Sequence, residues 1–95
     1  MNLPDIYLLK YHNKMEYFVY VLKSQKDGRL YKGQTSDLNE RVKQHNSGKT
    51  KSTKGFMPWE LVYFETFQTR EEAVLREKYL KTGSGREFLK KILGY

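Results

Sequence analysis

Cysteine is absent from the 95 residues. That one absence removes disulfides, thiolate metal sites and cysteine nucleophiles together, and it suits a reducing compartment. No run approaches the roughly 20 apolar residues that a bilayer-spanning helix needs. Near the start, Ile6 to Leu9 is an apolar run of only four, too short for the core of an export signal. The expectation is a cytoplasmic chain with no membrane contact. There is no internal repeat, no low-complexity linker and no Gly-rich phosphate loop. The two histidines, His12 and His45, have no zinc-site spacing, and no Ser/His/Asp pattern is present. The length allows one compact domain with one modest core.

Acidic residues are also scarce. Eighteen Lys and Arg stand against 11 Asp and Glu, a formal net charge of +7, which favours a polyanionic partner. From Arg41 to Lys54 there are five Lys and Arg and no acidic residue. Asn46, Ser47, Gly48 and Thr50 break any amphipathic helix there, so the stretch reads as a phosphate-facing patch rather than a membrane-surface helix.

Hydrophobic residues make up 38% and aromatics 15% of the chain, a composition that folds. Residues 1–15 read as an N-terminal extension and 16–95 as the domain. Glu16 to Ser24 is apolar on both faces and reads as a central strand. Asp27-Gly28 reads as a two-residue hairpin turn, with Arg29 to Thr35 returning. With Lys26 opposite Arg29, the register puts Leu22 against Gly33 and Ser24 against Tyr31, so that Tyr20, Tyr31 and Gly33 share a face. Asp37 and Glu40 mark the start of a helix ended by Ser47-Gly48. Along it, Arg41 and His45 are one turn apart and project from one side. Lys49 to Phe56 reads as a basic loop and Trp59 to Phe67 as a third strand, with Trp59 and Phe64 in the core. Thr69 and Glu72 open a helix from about Arg70 to Lys81, stopped by Gly83. Ser84 and Glu87 open a last helix with Phe88, Leu89, Ile92 and Leu93 as its buried stripe. The fold class is thus α+β.

Glu77 falls on the apolar side of its helix, between Ala73 and Val74 and near Leu80. A carboxylate there calls for a partner: a cation, an arginine or a metal. Hydrolysis of a phosphodiester needs a base for the water, neutralisation of the phosphate and stabilisation of the leaving oxygen. Glu77 is a candidate ligand for a hard cation such as Mg²⁺. Arg41 is a candidate phosphate clamp, and Tyr20 or Tyr31 a candidate base. His45 suits orienting a phosphate or relaying a proton. Each residue also has an ordinary structural reading: packing for the tyrosines, solvation for Arg41 and His45, an ion pair for Glu77, a bulge for Gly33.

Taken in order, these residues match something specific. Phe18-Val19-Tyr20, then Tyr31-Lys32-Gly33, then Asp37-Leu38, Arg41 and His45-Asn46-x-Gly48, resemble the GIY-YIG nuclease superfamily. Pro58-Trp59-Glu60-Leu61-Val62-Tyr63 and Glu72-Ala73-x-x-x-Glu77-Lys78-x-Leu80-Lys81 continue the likeness, which spans roughly residues 16–90. It is nearest to small single-domain members related to the N-terminal nuclease domain of the UvrC excision-repair protein. The glycine of the first motif half is Phe18 here and the isoleucine of the second is Lys32, expected on the face opposite Tyr31 and in solvent.

The resemblance implies a three-stranded antiparallel sheet flanked by helices, and cleavage of DNA phosphodiesters with one Mg²⁺ or Mn²⁺. Tyr20, Tyr31, Arg41, His45 and Glu77 would be the catalytic set, with Glu77 as the metal ligand. Gly33, Lys49, Lys51 and Lys54 would meet the nucleic-acid backbone, with little sequence preference. The alternatives are a non-catalytic nucleic-acid-binding module of the same fold and a nuclease subunit whose specificity comes from a protein partner. Oligomeric state is left open.

Overall fold

The computed structural model of the chain describes residues 16–94, and the 1–15 extension lies outside them. Three strands, β1 (Tyr17–Ser24), β2 (Leu30–Thr35) and β3 (Trp59–Phe67), and three helices, α1 (Leu38–Asn46), α2 (Arg70–Leu80) and α3 (Gly83–Leu93), follow in the order β1-β2-α1-β3-α2-α3. The sheet is antiparallel in the order β2-β1-β3. β1 is central because its residues are apolar on both sides, and Val19, Tyr20, Val21 and Leu22 are all at most 1% exposed.

The two faces carry different layers. Val19 and Val21 pack with Ala73, Leu80 and Leu89 under α2 and α3. Tyr20 and Leu22 pack with Trp59 on the other face, joined by Tyr31, Leu38, Val42 and Met57, where α1 lies. Full burial of an aliphatic side chain contributes roughly 1.5–3 kcal/mol, so β1 anchors both layers.

The hairpin differs from the two-residue expectation. Ser24 N–H donates to the Arg29 carbonyl (2.9 Å) and Gly28 N–H to the Ser24 carbonyl (2.8 Å), closing a four-residue loop. Only Gly28 takes positive φ (82°) there. The Ser24 hydroxyl accepts from the backbone of Lys26 and Asp27 and stabilises the wider loop. Tyr20 therefore faces Gly33, and Leu22 faces Tyr31. The shift is two residues, which preserves the side-chain period, so Tyr20, Gly33 and Tyr31 still share a face.

β3 pairs with β1 through a bulge: Val21 faces Tyr63 but Leu22 faces Leu61, leaving Val62 extra. The bulge puts Trp59, Leu61 and Phe64 on the α1 side. Phe64 is 49% exposed, outside the core in which the sequence placed it.

Local chemistry sets the helix ends. Asp37 caps α1 by accepting from Glu40 N–H, and Thr69 and Glu72 form a reciprocal capping box on α2. α3 starts earlier than expected: Thr82, not Ser84, is its cap, and Gly83 opens the helix rather than following a break. Buried Gly85 explains the tight junction, since a Cβ there would come within 2.1 Å of the Tyr79 carbonyl. Leu89 is buried, with Phe88 and Leu93 packed beside it, but Ile92 is 45% exposed.

Candidate active site

α1 lies across the tyrosine face so that its inward side meets Tyr20. Gly33, opposite Tyr20, leaves space for the ring: a Cβ at Gly33 would sit 2.5 Å from the Tyr20 hydroxyl. Gly33 is itself buried. Its bare backbone seats the tyrosine and is not available to a nucleic-acid strand, contrary to its assignment as a backbone contact.

Around the Tyr20 hydroxyl runs a buried chain of hydrogen bonds. Thr53 Oγ1 lies 2.8 Å from His45 Nδ1 and 3.3 Å from the Thr50 carbonyl. His45 Nε2 lies 2.9 Å from the Tyr20 hydroxyl, so the imidazole is held at both ring nitrogens. Arg41 Nε donates to the same hydroxyl oxygen (3.4 Å), and Arg41 also donates to Gln44 Oε1 (2.8 Å). Tyr31 stacks obliquely on His45, with ring centroids 4.8 Å apart, and lies 6.2 Å from the Tyr20 ring.

Burial tunes these groups. It pushes His45 down from 6.5 to about 4, helped by the Arg41 charge. His45 is thus a neutral acceptor at physiological pH. Burial pushes Tyr20 up from 10.0 to about 12, against the Arg41 hydrogen bond, with Tyr31 and Glu77 adding to the rise. Tyr20 rests as a phenol hydrogen-bonded to an imidazole. Arg41 is held further above its ordinary value, chiefly by Tyr20.

Glu77 stands on α2, the helix packed against the Val19–Val21 face. Its carboxylate is near enough to act on Tyr20 through space. The partner that its half-buried position demands is Lys81, whose Nζ is 2.6 Å from Oε2 one turn on. Among the described residues no group of three or more His, Cys, Asp or Glu is gathered. A single hard carboxylate does not form a closed protein cage. It suits Mg²⁺ or Mn²⁺, which keep several waters and take other oxygens from phosphate.

Lys49, Lys51 and Lys54 are exposed on the loop after α1. The loop is tied to the site, since Trp59 Nε1 donates to the Thr53 carbonyl (2.9 Å) as Thr53 holds His45. Asn46 fastens its other end, donating to the Trp59 carbonyl and accepting from its N–H. Lys32 points away from Tyr31, as expected, but into a half-buried place. Burial lowers its pKa, and Arg86 and Lys81 push the same way. Thr53 escaped the sequence reading: a threonine between lysines carries no local sign that it is buried.

The profile of the GIY-YIG catalytic domain matches residues 16–91. The chain is 47% identical over 78 residues to the UPF0213 protein SERP0126 of Staphylococcus epidermidis, covering 81% of this chain and 94% of that one. To the UPF0213 protein YazA of Bacillus subtilis it is 48% identical over 66 residues, 68% of this chain and 66% of the other. The solution NMR structure of the UPF0213 protein BH0048 from Bacillus halodurans superposes with a TM-score of 0.52 at 37% identity, covering 82% of this chain and 85% of that one. The fold, the matched span and these relatives agree: the chain belongs to the GIY-YIG family, a nuclease-type family, beside its small UPF0213 members.

Proposed function

We propose that the chain is a divalent-metal-dependent endonuclease that hydrolyses DNA phosphodiester bonds with little sequence preference. The observation that carries this reading is the buried hydrogen-bonded chain Arg41–Tyr20–His45–Thr53, on which the Glu77 carboxylate acts through space. Pure packing needs no such polar chain, whereas proton transfer does.

In this reading Arg41 clamps a non-bridging phosphate oxygen with its planar fork. Tyr20 takes a proton from the attacking water at Oη while passing its own to His45 Nε2. No free phenolate has to accumulate, which matters for a tyrosine held near 12. Substrate also improves the acceptor. A phosphate on Arg41 cancels part of the charge that holds His45 down, so His45 becomes more basic when there is a proton to receive. Thr53 holds the imidazole in place throughout. Tyr31 packs against His45 and borders Arg41, and limits how the imidazole turns.

Glu77 would hold Mg²⁺ or Mn²⁺ in place of, or shared with, Lys81. When bound, that ion supplies charge neutralisation at the phosphate and lowers the pKa of water. Lys49, Lys51 and Lys54 hold the backbone without reading bases. No helix of the described residues is long and apolar enough to cross a membrane, and we place the protein in the cytoplasm. The likeness to the UvrC nuclease domain makes DNA repair the natural setting.

The test is nicking of supercoiled plasmid with Mg²⁺ or Mn²⁺ by wild type and Glu77→Ala. Metal-dependent nicking that Glu77→Ala abolishes is the expected result. Equal activity of the two, or none in either, sinks the catalytic reading. Salt-sensitive DNA binding without cleavage would select the non-catalytic module instead.

A further inference from the structure

The tyrosine face carries a second concavity, at the N-terminal end of α1. It is a pocket of about 430 Å³ whose lining includes Glu16, Phe18, Ser36, Asp37, Asn39 and Phe64. The volume is in the range of small-molecule sites. Phe64 is the β3 partner of Tyr20 in the sheet register, and Phe18 lies two residues before Tyr20 on the same face. Two strand residues span about 7 Å, the reach of a single nucleotide. The two phenylalanines meet edge to face, with centroids 6.1 Å apart, and Phe64 is 49% exposed.

We propose that this pocket receives an unpaired nucleobase next to the phosphate handled at Tyr20, so that the preferred substrate is single-stranded or locally unpaired nucleic acid. The inference rests on the nuclease reading above. Charge argues for a base over a phosphate. In a chain of net charge +7, none of the lining residues is Lys or Arg, and two are the carboxylates Glu16 and Asp37. An anion is repelled there, while the exocyclic amino groups of adenine, cytosine and guanine find acceptors. Asp37 is fixed for this by its cap bond to Glu40 N–H at 3.1 Å. Phe64 offers a face for stacking, which tolerates any base.

The layout agrees. α1 begins beside the pocket at Leu38 and ends at Asn46, where the chain enters the lysine loop. Nine helical residues span about 13 Å. Arg41 and Tyr20 thus lie between a basic surface for the backbone and an aromatic, acidic pocket for a base. In a duplex the base faces are stacked on their neighbours and closed to Phe64.

The experiment uses the full chain in EDTA, so that no turnover is required. Binding is measured to a labelled single strand and to its duplex at one salt concentration, for wild type, Phe64→Ala and Phe64→Tyr. Phe64→Ala is expected to weaken single-strand binding about 10-fold and to leave duplex binding within about twofold. Phe64→Tyr, which keeps the ring, should restore it and so guards against a folding artefact. A 2-aminopurine in the strand should be quenched by wild type and not by Phe64→Ala. Equal losses on strand and duplex, or none on either, would overturn the proposal. So would a Phe64→Ala protein that changes only its own self-association, since the pocket would then belong to a second copy. Plasmid nicking reports separately: its failure with strand selectivity intact removes hydrolysis and leaves the pocket standing.

Discussion

The two faces of the sheet use the same strand in opposite ways. On the α2–α3 face, Val19 and Val21 meet Ala73, Leu80 and Leu89 in an apolar layer. On the α1 face, Tyr20 is equally buried but spends its burial on a polar chain through His45 and Thr53. All buried side-chain nitrogens and oxygens among the described residues have partners, so the polar face is fully satisfied. The difference is between a layer whose only task is to exclude water and one in which burial sets protonation. The polar layer on the α2–α3 side is confined to its rim, where Arg76 grips Glu65 at 2.8 and 3.0 Å, Tyr63 donates to Glu65, and the Arg76 guanidinium packs by Tyr79 and Phe88.

Substitutions can separate the two roles. The largest effect is expected from Tyr20→Phe: nicking rates should fall by about 10² to 10⁴, while the urea midpoint moves far less than for a core deletion. A variant that keeps its rate would remove Tyr20 from the chemistry and leave it as packing. Next comes Leu80→Ala on the other face, which should lower unfolding free energy by about 2–5 kcal/mol. Its rate per folded molecule should be unchanged. A selective rate loss there would mean that α2 transmits strain to Glu77 and that the faces are not independent.

The third effect is acid sensitivity confined to the tyrosine face. His45 has a folded pKa of about 4 against an ordinary 6.5. Between those values the unfolded chain binds a proton that the folded chain does not, so stability falls as pH falls. The contribution is complete above about 6.5 and lost by about 4, at most about 3 kcal/mol. Glu65 adds a loss of the same sign at lower pH: burial opposes its ionisation, but the Arg76 hydrogen bond prevails and holds it below its ordinary 4.5. The window from 6.5 to 4.5 therefore belongs to His45. Urea titrations across it should slope for wild type and lie flat for His45→Gln. An equal slope in both would place the titration elsewhere. The smallest effect should come from Lys49→Ala, Lys51→Ala and Lys54→Ala together. The salt dependence of log Kd should shallow by up to about 3, with catalysis at saturating DNA nearly unchanged. An unaltered slope would detach the loop from the backbone.

Strand, turn and cap chemistry is local, and much of the fold was legible for that reason. Glu16 to Ser24 is apolar on both sides and can only be central. Thr69 and Glu72 lie three apart and cap α2 as read. Even the hairpin error was harmless to the site, because a two-residue slip returns each side chain to its own face. The pairing that Glu77 required was visible as a need, although its partner Lys81 was not named.

The central strand, the shared face of Tyr20, Gly33 and Tyr31, and the order in which Arg41, His45 and Glu77 follow are all written in neighbouring residues. How these groups are used follows from contacts between distant segments. Thr53 reaches His45 from eight residues away because the lysine loop folds back. Gly33 serves Tyr20 because the ring crosses to β2. Phe64 leaves the core for the tyrosine face because one extra residue, Val62, inverts the alternation of β3. A period of two or a helix cap is written in adjacent residues. A buried hydrogen-bond chain or a pocket's wall depends on which distant segments close on one another, and no local pattern records that closure.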